Sequence, residues 1–383
     1  MGTLYNGPMR FGVPKEIKDG ERRVGLLPDA VRALVGDGHG VWVESGAGSA
    51  IGFDDDHYRG AGATVVGDAR EIWRSDLIIK VKELQPAEYP MLIAGTTIFG
   101  YAQLARDPGL ADAVVRAGVR ILAYELVRDA SGAFPLLAPM SRIAGRLAPF
   151  AGAQCLHADR GGAGVLLTGV DRVDGARVVI VGAGTAGAEA ARVAARLGCR
   201  VTVLSRGSKR LDAIARELAE SGSPIEAQTM QRAGRDGFAA AIAAADLIVG
   251  AVNDPGTLSP HLITREHLRS MRAGSAFVDI GIDQGGIAET SRMTTLSNPT
   301  YIDERIVHYC VPNMPALVPR TATEALTAAT FRYVQRFARH GIASALDDDA
   351  GLAAGVLVAD GAIVQRSLAQ QMPGVERRPS PSP

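Results

Sequence analysis

A glycine-rich junction constrains the fold of this chain more than any other stretch. The apolar run Arg177–Val181 ends at Gly182, and Gly182, Gly184 and Gly187 have the spacing G-x-G-x-x-G. The first glycine permits a tight turn, the second lets the backbone approach a pyrophosphate, and the third lets helix and strand pack closely. With a strand before it, a helix after it and a second strand at Val201–Leu204, the motif predicts a dinucleotide-binding unit. A glycine-rich turn in another doubly wound domain is the alternative.

Charge and composition exclude several function classes. The 383 residues carry 41 basic and 41 acidic side chains, so the sequence predicts neither nucleic-acid nor acidic-membrane binding. We find no apolar run of the roughly 18 residues that a membrane helix needs, and no signal peptide. Cys155, Cys199 and Cys310 indicate reduced thiols rather than a disulfide framework. The seven histidines lack metal-ligand spacing, so we predict a cytoplasmic protein without a metal.

Strand and helix patterns alternate before the glycine motif. Strands are predicted at Met9–Val13, Val41–Glu44, Leu77–Val81, Thr97–Tyr101 and Arg120–Tyr124. Helices are predicted between them, including Pro28–Asp37 and Pro108–Ala117. Such alternation is typical of a parallel sheet with helices around it. Ser141 is predicted to cap a long helix that connects two domains.

The rest of the chain completes a two-domain α/β prediction. Apolar runs at Asp246–Val252 and Ser275–Ile280 indicate buried parallel strands, and helices are predicted at Glu324–His340 and Asp349–Gln371. We predict a central Rossmann-type doubly wound parallel sheet, residues 141–312, inserted into a second α/β substrate domain. That second domain comprises residues 9–140 and 313–371. The proline- and serine-rich tail, residues 372–383, is predicted to be disordered.

Several separated segments together resemble one family, the alanine dehydrogenases and pyridine nucleotide transhydrogenases. The segments are Gly12–Lys18, Glu21–Val24, Lys80–Glu83, Leu137–Ser141, Val278–Gly286, Cys310–Pro315 and Pro319–Thr321. The resemblance implies a substrate domain built from both chain ends, a central nucleotide domain, and an active site in the cleft between them. It also implies a homo-oligomer, such as a dimer or a hexamer, and a small carboxylate substrate.

The resemblance assigns substrate-binding roles to three charged residues. Arg23 matches the arginine that grips the substrate carboxylate, for which a guanidinium fork is suited; a surface ion pair is the alternative. Lys82 matches a lysine that contacts the carboxylate or carbonyl oxygen, and its alternative is a solvated strand-end charge. Asp283 matches an aspartate near the nicotinamide and the substrate amine, with an Asx-turn cap as the alternative. Lys82 and Asp283 are therefore predicted to be catalytic.

Further residues are assigned to the same cleft by resemblance. Tyr101, Ser141 and Asn313 are expected to contact the substrate. The cofactor is expected to contact Asn313, Met314, Asp283, the backbone of Val252 and the glycine turn. The turn contributes Gly182, Gly184, Thr185, Ala186 and Gly187. Ordinary turn or core packing is the alternative for Asn313, Met314 and Val252.

One departure from the family pattern concerns catalysis. Alanine dehydrogenases have a catalytic histidine where this chain has Gln103, which forms hydrogen bonds but carries no proton near neutral pH. Oxidative deamination needs water addition and carbinolamine collapse, steps to which a general acid or base contributes about 10²–10⁴-fold. Three interpretations stay open: Asp283 and Lys82 carry all proton transfer, the substrate is a preformed imine or conjugated double bond, or the protein binds cofactor without turnover. Another residue replacing the histidine is the remaining alternative.

A second departure concerns the cofactor. A site for NAD places an acidic residue roughly 20 residues beyond the glycines, where it bonds the ribose 2′-hydroxyl. This chain has Ser205 there, followed by Arg206, Lys209 and Arg210. Serine and basic side chains bind a 2′-phosphate, so NADP(H) is predicted over NAD(H). A basic, solvated first turn of the next helix is the alternative.

These observations predict an NADP(H)-dependent oxidoreductase. It would transfer hydride to or from a small amino, imino or keto acid, with reduction of an imine or conjugated double bond favoured over alanine deamination. Gln103 would then orient the substrate. Two alternatives stay open. One is NADPH-dependent reductive condensation of a keto acid with an amine, and the other is a nucleotide-binding module of the transhydrogenase kind.

Overall fold

Two compact units make up the structure. It is a computed structural model that describes residues 7–220, 225–252, 259–372 and 375. The first unit comprises the chain up to Met140 and from Val318 onward, and the second runs from Ser141 to Leu317. Among the described residues, we find no helix with the length and apolarity needed to cross a membrane.

The first unit is built on an eight-stranded sheet. Its first part contains β1 (Arg10–Val13), α1 (Pro28–Gly36), β2 (Gly40–Glu44), α2 (Asp55–Gly60), β3 (Thr64–Val66), α3 (Ala69–Ile72), β4 (Leu77–Ile79), β5 (Thr97–Gly100), α4 (Pro108–Ala117) and β6 (Arg120–Ala123). The strands β6-β5-β4-β1-β2-β3 lie side by side in that order and are parallel. The carboxyl ends of β4, β5 and β6 therefore meet at one edge, where open α/β sheets bind ligands.

The second unit is built on a seven-stranded sheet, preceded by the long helix α5 (Ala138–Cys155). Its elements are β7 (Arg177–Val181), α6 (Thr185–Arg196), β8 (Arg200–Ser205), α7 (Lys209–Glu220), β9 (Ile225–Thr229), α8 (Met230–Ala244), β10 (Leu247–Gly250), α9 (Arg265–Ser270), β11 (Ala276–Asp279), β12 (Thr300–Asp303) and β13 (Ile306–Tyr309). The strand order is β12-β13-β11-β10-β7-β8-β9, and only β12 pairs antiparallel to its neighbour.

The central strand β7 explains why helices cover both faces of this sheet. Val178 and Ile180 lie in one apolar core, and Val179 and Val181 lie in another. A strand that is apolar on both faces must be covered on both faces, which is the doubly wound arrangement. The predicted α/β fold class with a Rossmann-type parallel sheet is therefore confirmed.

After residue 317 the chain returns to the first unit. It forms α10 (Pro319–His340), α11 (Ile342–Asp347), α12 (Ala350–Ala353), β14 (Val356–Ala359), β15 (Ala362–Ile363) and α13 (Arg366–Gln371). The predicted helix Asp349–Gln371 is thus wrong. Asp360 and Gly361 both have positive φ, 49° and 69°, and form the tight turn of a hairpin between β14 and β15. An Asp-Gly pair favours such a turn.

The ends of three other predicted segments also differ from the structure. Helix α5 begins at Ala138, so Ser141 lies inside it and does not cap it. The second unit ends at Leu317, rather than at residue 312. Met372, assigned to the disordered tail, is 3% exposed and packs in the core of the first unit. Apart from Met372 and residue 375, that predicted tail lies outside the described residues.

Candidate active site

Arg23 is a buried cation in the first unit. It is 1% exposed, and its Nε and Nη2 donate to the two carboxylate oxygens of Glu21 at 2.7 and 2.5 Å. Burial disfavours the charge, but the bidentate pair outweighs it and raises the pKa of Arg23. The third nitrogen, Nη1, lies 3.1 Å from the sulfur of Met140, which is a weak acceptor. The guanidinium is therefore charged and fixed in one orientation.

Lys82 lies just beyond the carboxyl end of β4 and is 4% exposed. Its Nζ is 3.2 Å from Oε2 of Glu83, which also pairs with Lys18. Burial alone would raise the pKa of Glu83, but the ammonium groups of Lys82 and Lys18 lower it to about 2. Two lysines thus share one carboxylate, and this pairing keeps Glu83 ionised near neutral pH.

A buried ion network holds the backbone beneath Lys82. Nζ of Lys80, with a fully buried side chain, lies 3.0 Å from Oε2 of Glu16 and 2.8 Å from Oε1 of Glu88. The other oxygen of Glu16 accepts from the backbone N–H of Val81 at 2.6 Å and of Lys82 at 3.3 Å. Glu16 therefore fixes the backbone at Lys82 and so orients the start of the Lys82 side chain.

Gln103 occupies a constrained position beyond the end of β5. Its backbone is left-handed, with φ 47° and ψ 30°, and its N–H donates to Oε1 of Glu125 at 2.9 Å. Burial raises the pKa of the Glu125 carboxyl, against the amide donors and Lys82 that lower it. Tyr101, two residues earlier, donates its hydroxyl to the carbonyl oxygen of Leu136 at 2.7 Å.

A recess in the first unit brings several of these residues together. Its polar lining comes from Lys82, Glu83, Tyr101 and the backbone at Ala102. Its other wall is apolar and comes from Leu84, Ile98, Leu104, Leu110, Val114 and Ile121. Lys82 and Tyr101 therefore face the same space.

In the second unit, the glycine turn is tightly packed at two of its glycines and open at the third. A Cβ on Gly182, which has φ 111°, would lie 2.5 Å from the carbonyl oxygen of Ala251, and one on Gly187 would lie 1.9 Å from that of Gly182. A Cβ on Gly184 would meet no atom within 4 Å. Open space therefore lies in front of Gly184, and Thr185 and Ala186 open helix α6 as its half-exposed first residues. Backbone N–H groups at such a helix start bind anions.

The end of β8 lies beside this turn, because Gly182 N–H donates to the carbonyl oxygen of Leu204 at 2.7 Å. Ser205 is the last residue of β8 and is half-buried. Arg206 is exposed, as are Lys209 and Arg210, which open helix α7. The structure thus places a hydroxyl at the end of the strand that neighbours the glycine turn and three basic residues just beyond that strand.

Four predicted cofactor residues follow three adjacent strands of the same sheet. Val252 follows β10, half-buried Asp283 lies in the 3₁₀ turn after β11, and half-buried Asn313 and buried Met314 follow β13. The carboxyl ends of parallel neighbours lie at one edge, so these residues share the edge that carries the glycine turn. Met314 is 2% exposed and packs in the core of the unit.

Comparison with known proteins identifies the family. Residues 12–144 match the N-terminal domain of alanine dehydrogenase/PNT, and residues 148–366 match the C-terminal domain. The chain belongs to the alanine dehydrogenase/PNT family. The predicted family resemblance is therefore confirmed, and the chain is an oxidoreductase of that family.

Relatives of this alanine dehydrogenase/PNT family member match it over almost their whole length. An alanine dehydrogenase of Halomonas elongata is 44% identical over 363 residues, which are 94% of this chain and 96% of the relative. A solved L-alanine dehydrogenase has a TM-score of 0.88 and 42% identity, covering 95% of this chain and 99% of that one. A solved transhydrogenase from Sinorhizobium meliloti has a TM-score of 0.77 and 25% identity, covering 93% and 100%.

The family member also contains site residues that the sequence did not single out for a role. Glu21 accepts a hydrogen bond from the guanidinium of Arg23. Glu16 accepts from the backbone N–H of Lys82, and Glu125 accepts from the backbone N–H of Gln103. Glu16 and Glu21 lie inside the segments that resemble the family, and this position could have indicated that they belong to the site. Glu125 follows β6, the neighbour of β5, and this shared sheet edge was the signal for its approach to Gln103. In the described part of the chain, no group of His, Cys, Asp or Glu is arranged to hold a metal ion.

Proposed function

We propose that this family member transfers hydride between NADP(H) and the α-carbon of a small amino, imino or keto acid. The observation that carries the proposal is a buried, oriented guanidinium at Arg23 in the same unit as the charged pair Lys82 and Glu83. When bound, the nicotinamide supplies or accepts the hydride. The open turn at Gly184 supports the dinucleotide assignment.

Arg23 and Lys82 are the proposed carboxylate ligands. Glu21 pairs with Nε and Nη2 of Arg23, whereas Nη1 faces the thioether of Met140. A guanidinium binds a carboxylate through charge-assisted hydrogen bonds in a planar fork, which suits Arg23 to the carboxylate of the substrate. Lys82 lines the recess beside Tyr101, where its ammonium supplies the second positive group.

Gln103 favours an imine as the substrate. Reduction of a protonated imine needs one hydride: its electron pair forms the new C–H bond, and the C=N π pair becomes the lone pair of the amine. The nitrogen already carries its proton, so no acid on the protein is required. An amide side chain is sufficient to orient this substrate. Alanine deamination also needs water addition and further proton transfers, for which Gln103 is unsuited.

Reduction of an uncharged imine needs a proton donor in addition to the hydride. Lys82 and Asp283 are the proposed carriers. Glu125, a carboxyl with a raised pKa, is a third candidate, and it accepts a hydrogen bond from the backbone N–H of Gln103. Because burial favours its protonated form, this carboxyl holds a proton to a higher pH than an exposed glutamate does.

We propose NADP(H) as the cofactor because of the residues that end β8. Ser205 is a neutral donor and acceptor where a carboxylate would repel a 2′-phosphate. Arg206, Lys209 and Arg210 place positive charge on the segment that follows. Lys209 and Arg210 lie in the first turn of α7, where backbone N–H groups also favour an anion.

The proposed assembly is a homo-oligomer. Four large apolar side chains between residues 150 and 173 are more than half exposed in the single chain: Phe150, Leu166, Val170 and Val173. Burial of such side chains against another copy would remove apolar surface from water. Light scattering coupled to size-exclusion chromatography measures the subunit number, and a monomeric mass would contradict this part of the proposal.

A substrate panel tests the proposed function. NADPH oxidation is followed with a cyclic α-imino acid, with pyruvate plus ammonia, and with pyruvate plus a primary amine. We expect the cyclic imino acid to give the highest kcat/KM. A preference for the primary amine would instead indicate reductive condensation. With NADPH bound but no turnover in the panel, catalysis on these substrates would be excluded.

Variants at two adjacent arginines provide the matched control. Arg23→Lys keeps the charge but loses the planar fork, so KM for the acid should rise at least about tenfold. Arg22→Lys alters a neighbouring exposed arginine and should leave KM unchanged. Equal KM values for the two variants would remove Arg23 from the carboxylate site.

A nucleotide carrier is the second candidate function, because the S. meliloti transhydrogenase has a TM-score of 0.77 with this chain. A protein that carries only nucleotide has no need of a cation oriented for a small acid, so Arg23 argues against it. Hydride exchange between NADPH and an oxidised nucleotide, without consumption of any acid, would favour the carrier.

A further inference from the structure

We infer that Asp279 is a positioning residue whose carboxylate fixes the turn that carries Asp283, and so sets kcat without touching substrate or cofactor. The inference rests on the catalytic role proposed for Asp283. It concerns a residue to which neither the sequence pattern nor the family resemblance gave a role of its own.

One carboxylate holds both ends of the turn. Asp279 is fully buried at the end of β11; its Oδ1 accepts from the backbone N–H of Gly281 at 3.0 Å, and its Oδ2 accepts from that of Ile287 at 2.9 Å. Gly281 precedes Asp283 in the chain and Ile287 follows it. The hydroxyl of Ser291 donates a third bond to Oδ2, at 2.6 Å. The turn is therefore closed around a single side chain.

The turn is also packed too tightly to shift toward Asp279. A Cβ on Gly286, which has φ 79°, would lie 2.6 Å from Oδ2 of Asp279 and 2.3 Å from Cβ of Ser291. A Cβ on Gly281 would lie 2.7 Å from the carbonyl oxygen of Val252. The backbone therefore approaches both the carboxylate and the end of the neighbouring strand more closely than any residue but glycine allows.

The same turn is tied to the segment after β10. The backbone N–H of Ser259 donates to the carbonyl oxygen of Gln284 at 2.8 Å, and its hydroxyl donates to that of Val252 at 3.2 Å. Gln284 is the residue next to Asp283. Asp279 on one side and Ser259 on the other thus fix Asp283 relative to Val252, the residue proposed to contact the cofactor.

A carboxylate suits this position better than an amide. Three donors converge on Asp279, and two of them bond the same oxygen, Oδ2. An asparagine has one acceptor oxygen, so its amide nitrogen would face the N–H of either Gly281 or Ile287. Asp279→Asn therefore opens one end of the turn while it keeps the size of the side chain. Ser291→Ala is milder, because it removes one donor to Asp279 and the acceptor of the Ala288 N–H but adds no repulsion.

Steady-state kinetics with a matched control test the inference. Ser275→Ala removes a fully buried hydroxyl at the opposite end of β11, where it donates to the carbonyl oxygen of Ala245 at 3.1 Å. We expect kcat to fall about tenfold in Ser291→Ala and about 100-fold in Asp279→Asn, with KM for the acid and Kd for NADPH within about twofold of wild type. Ser275→Ala should keep the wild-type kcat. Equal kcat losses in Ser275→Ala and Ser291→Ala would overturn the inference.

A double-mutant cycle separates positioning from general destabilisation. If Asp279 and Ser291 act through Asp283, Ser291→Ala should lower kcat no further in an Asp283→Ala background. A loss of stability would lower activity in both backgrounds, and additive losses would therefore contradict the inference.

Hydrogen exchange tests the geometry without reference to the reaction. Exchange of the Gly281 and Ile287 amides should be at least about tenfold faster in Asp279→Asn than in wild type, with no change in Ser275→Ala. Unchanged exchange in Asp279→Asn would overturn the inference even if turnover is lowered. If the wild-type protein lacks turnover but the variants show this exchange pattern, the proposed function is refuted and the closure of the turn by Asp279 still stands.

Discussion

The backbone N–H of Gln103 donates a 2.9 Å hydrogen bond to the carboxylate of Glu125, and the N–H of Ala102 donates to both oxygens of the same group. These bonds hold Gln103 in the left-handed region, which residues other than glycine, asparagine and aspartate seldom adopt. β5 and β6 are parallel neighbours, so the two residues meet at one sheet edge. The direction of the Gln103 side chain therefore depends on Glu125.

Removal of the Glu125 carboxylate should destabilise this turn. Glu125→Ala leaves two amide donors without their acceptor, and we expect the free energy of unfolding to fall by about 1–3 kcal/mol. Glu125→Gln keeps one acceptor oxygen and should lose less. Urea denaturation measures both. Equal losses in the two variants would show that the amide bonds are not the source of the effect.

Substitution of Lys80 should be among the most destabilising changes in the first unit. Lys80→Met leaves the buried carboxylates of Glu16 and Glu88 without their cation, which costs about 3–5 kcal/mol in such sites. Arg32→Met, in an exposed pair with Asp29, is the control and should change stability by less than about 1 kcal/mol. Thermal unfolding compares them, and a similar shift in both would contradict the role of the network.

Stability should fall in acid because of Glu83. The pKa of this carboxyl is about 2 in the folded chain, whereas its ordinary value is 4.5. The ionised carboxylate therefore stabilises the fold above about pH 4.5, and this stabilisation is lost as the pH falls toward about 2. The difference corresponds to on the order of 3 kcal/mol. In Glu83→Gln the free energy of unfolding should therefore depend less on pH between about pH 5 and 3. Asp29→Asn, at an exposed site, should keep the wild-type slope.

Ser205 should decide the choice of cofactor. In Ser205→Asp a carboxylate repels the 2′-phosphate and accepts a hydrogen bond from a ribose 2′-hydroxyl, so Kd for NADPH should rise and Kd for NADH should fall. We expect the ratio to change at least about 100-fold. Ser205→Ala, which adds no charge, should weaken NADPH binding only slightly. Fluorescence titration measures both constants, and an unchanged ratio in Ser205→Asp would remove the argument for NADP(H).

The two sheets could be predicted because their strands are local apolar patterns. Strand β7 has apolar side chains on both faces, and its pattern alone indicates burial between two helical layers. The segment 349–371 misled the prediction because a helix-like composition outweighed the Asp-Gly pair at residues 360 and 361, which forms a hairpin turn.

The supporting carboxylates of the site were harder to predict. Glu16 lies 64 residues from Lys80, and Glu125 lies 22 residues from Gln103. These contacts follow from strand order and register, which no local pattern encodes. The family resemblance indicated that Arg23 and Lys82 were candidates, but it did not show that Arg23 is fully buried and that Glu21 orients its guanidinium.

Gln103 is proposed to divert this family member from alanine deamination toward imine reduction, and one comparison tests this proposal directly. Initial rates of L-alanine oxidation and of cyclic imino acid reduction are measured for the wild type and for Gln103→His. We predict that the wild type reduces the imino acid at least about 100-fold faster than it oxidises alanine, and that Gln103→His raises alanine oxidation about 100-fold. Wild-type alanine oxidation as fast as imine reduction, with no gain in Gln103→His, would contradict the claim.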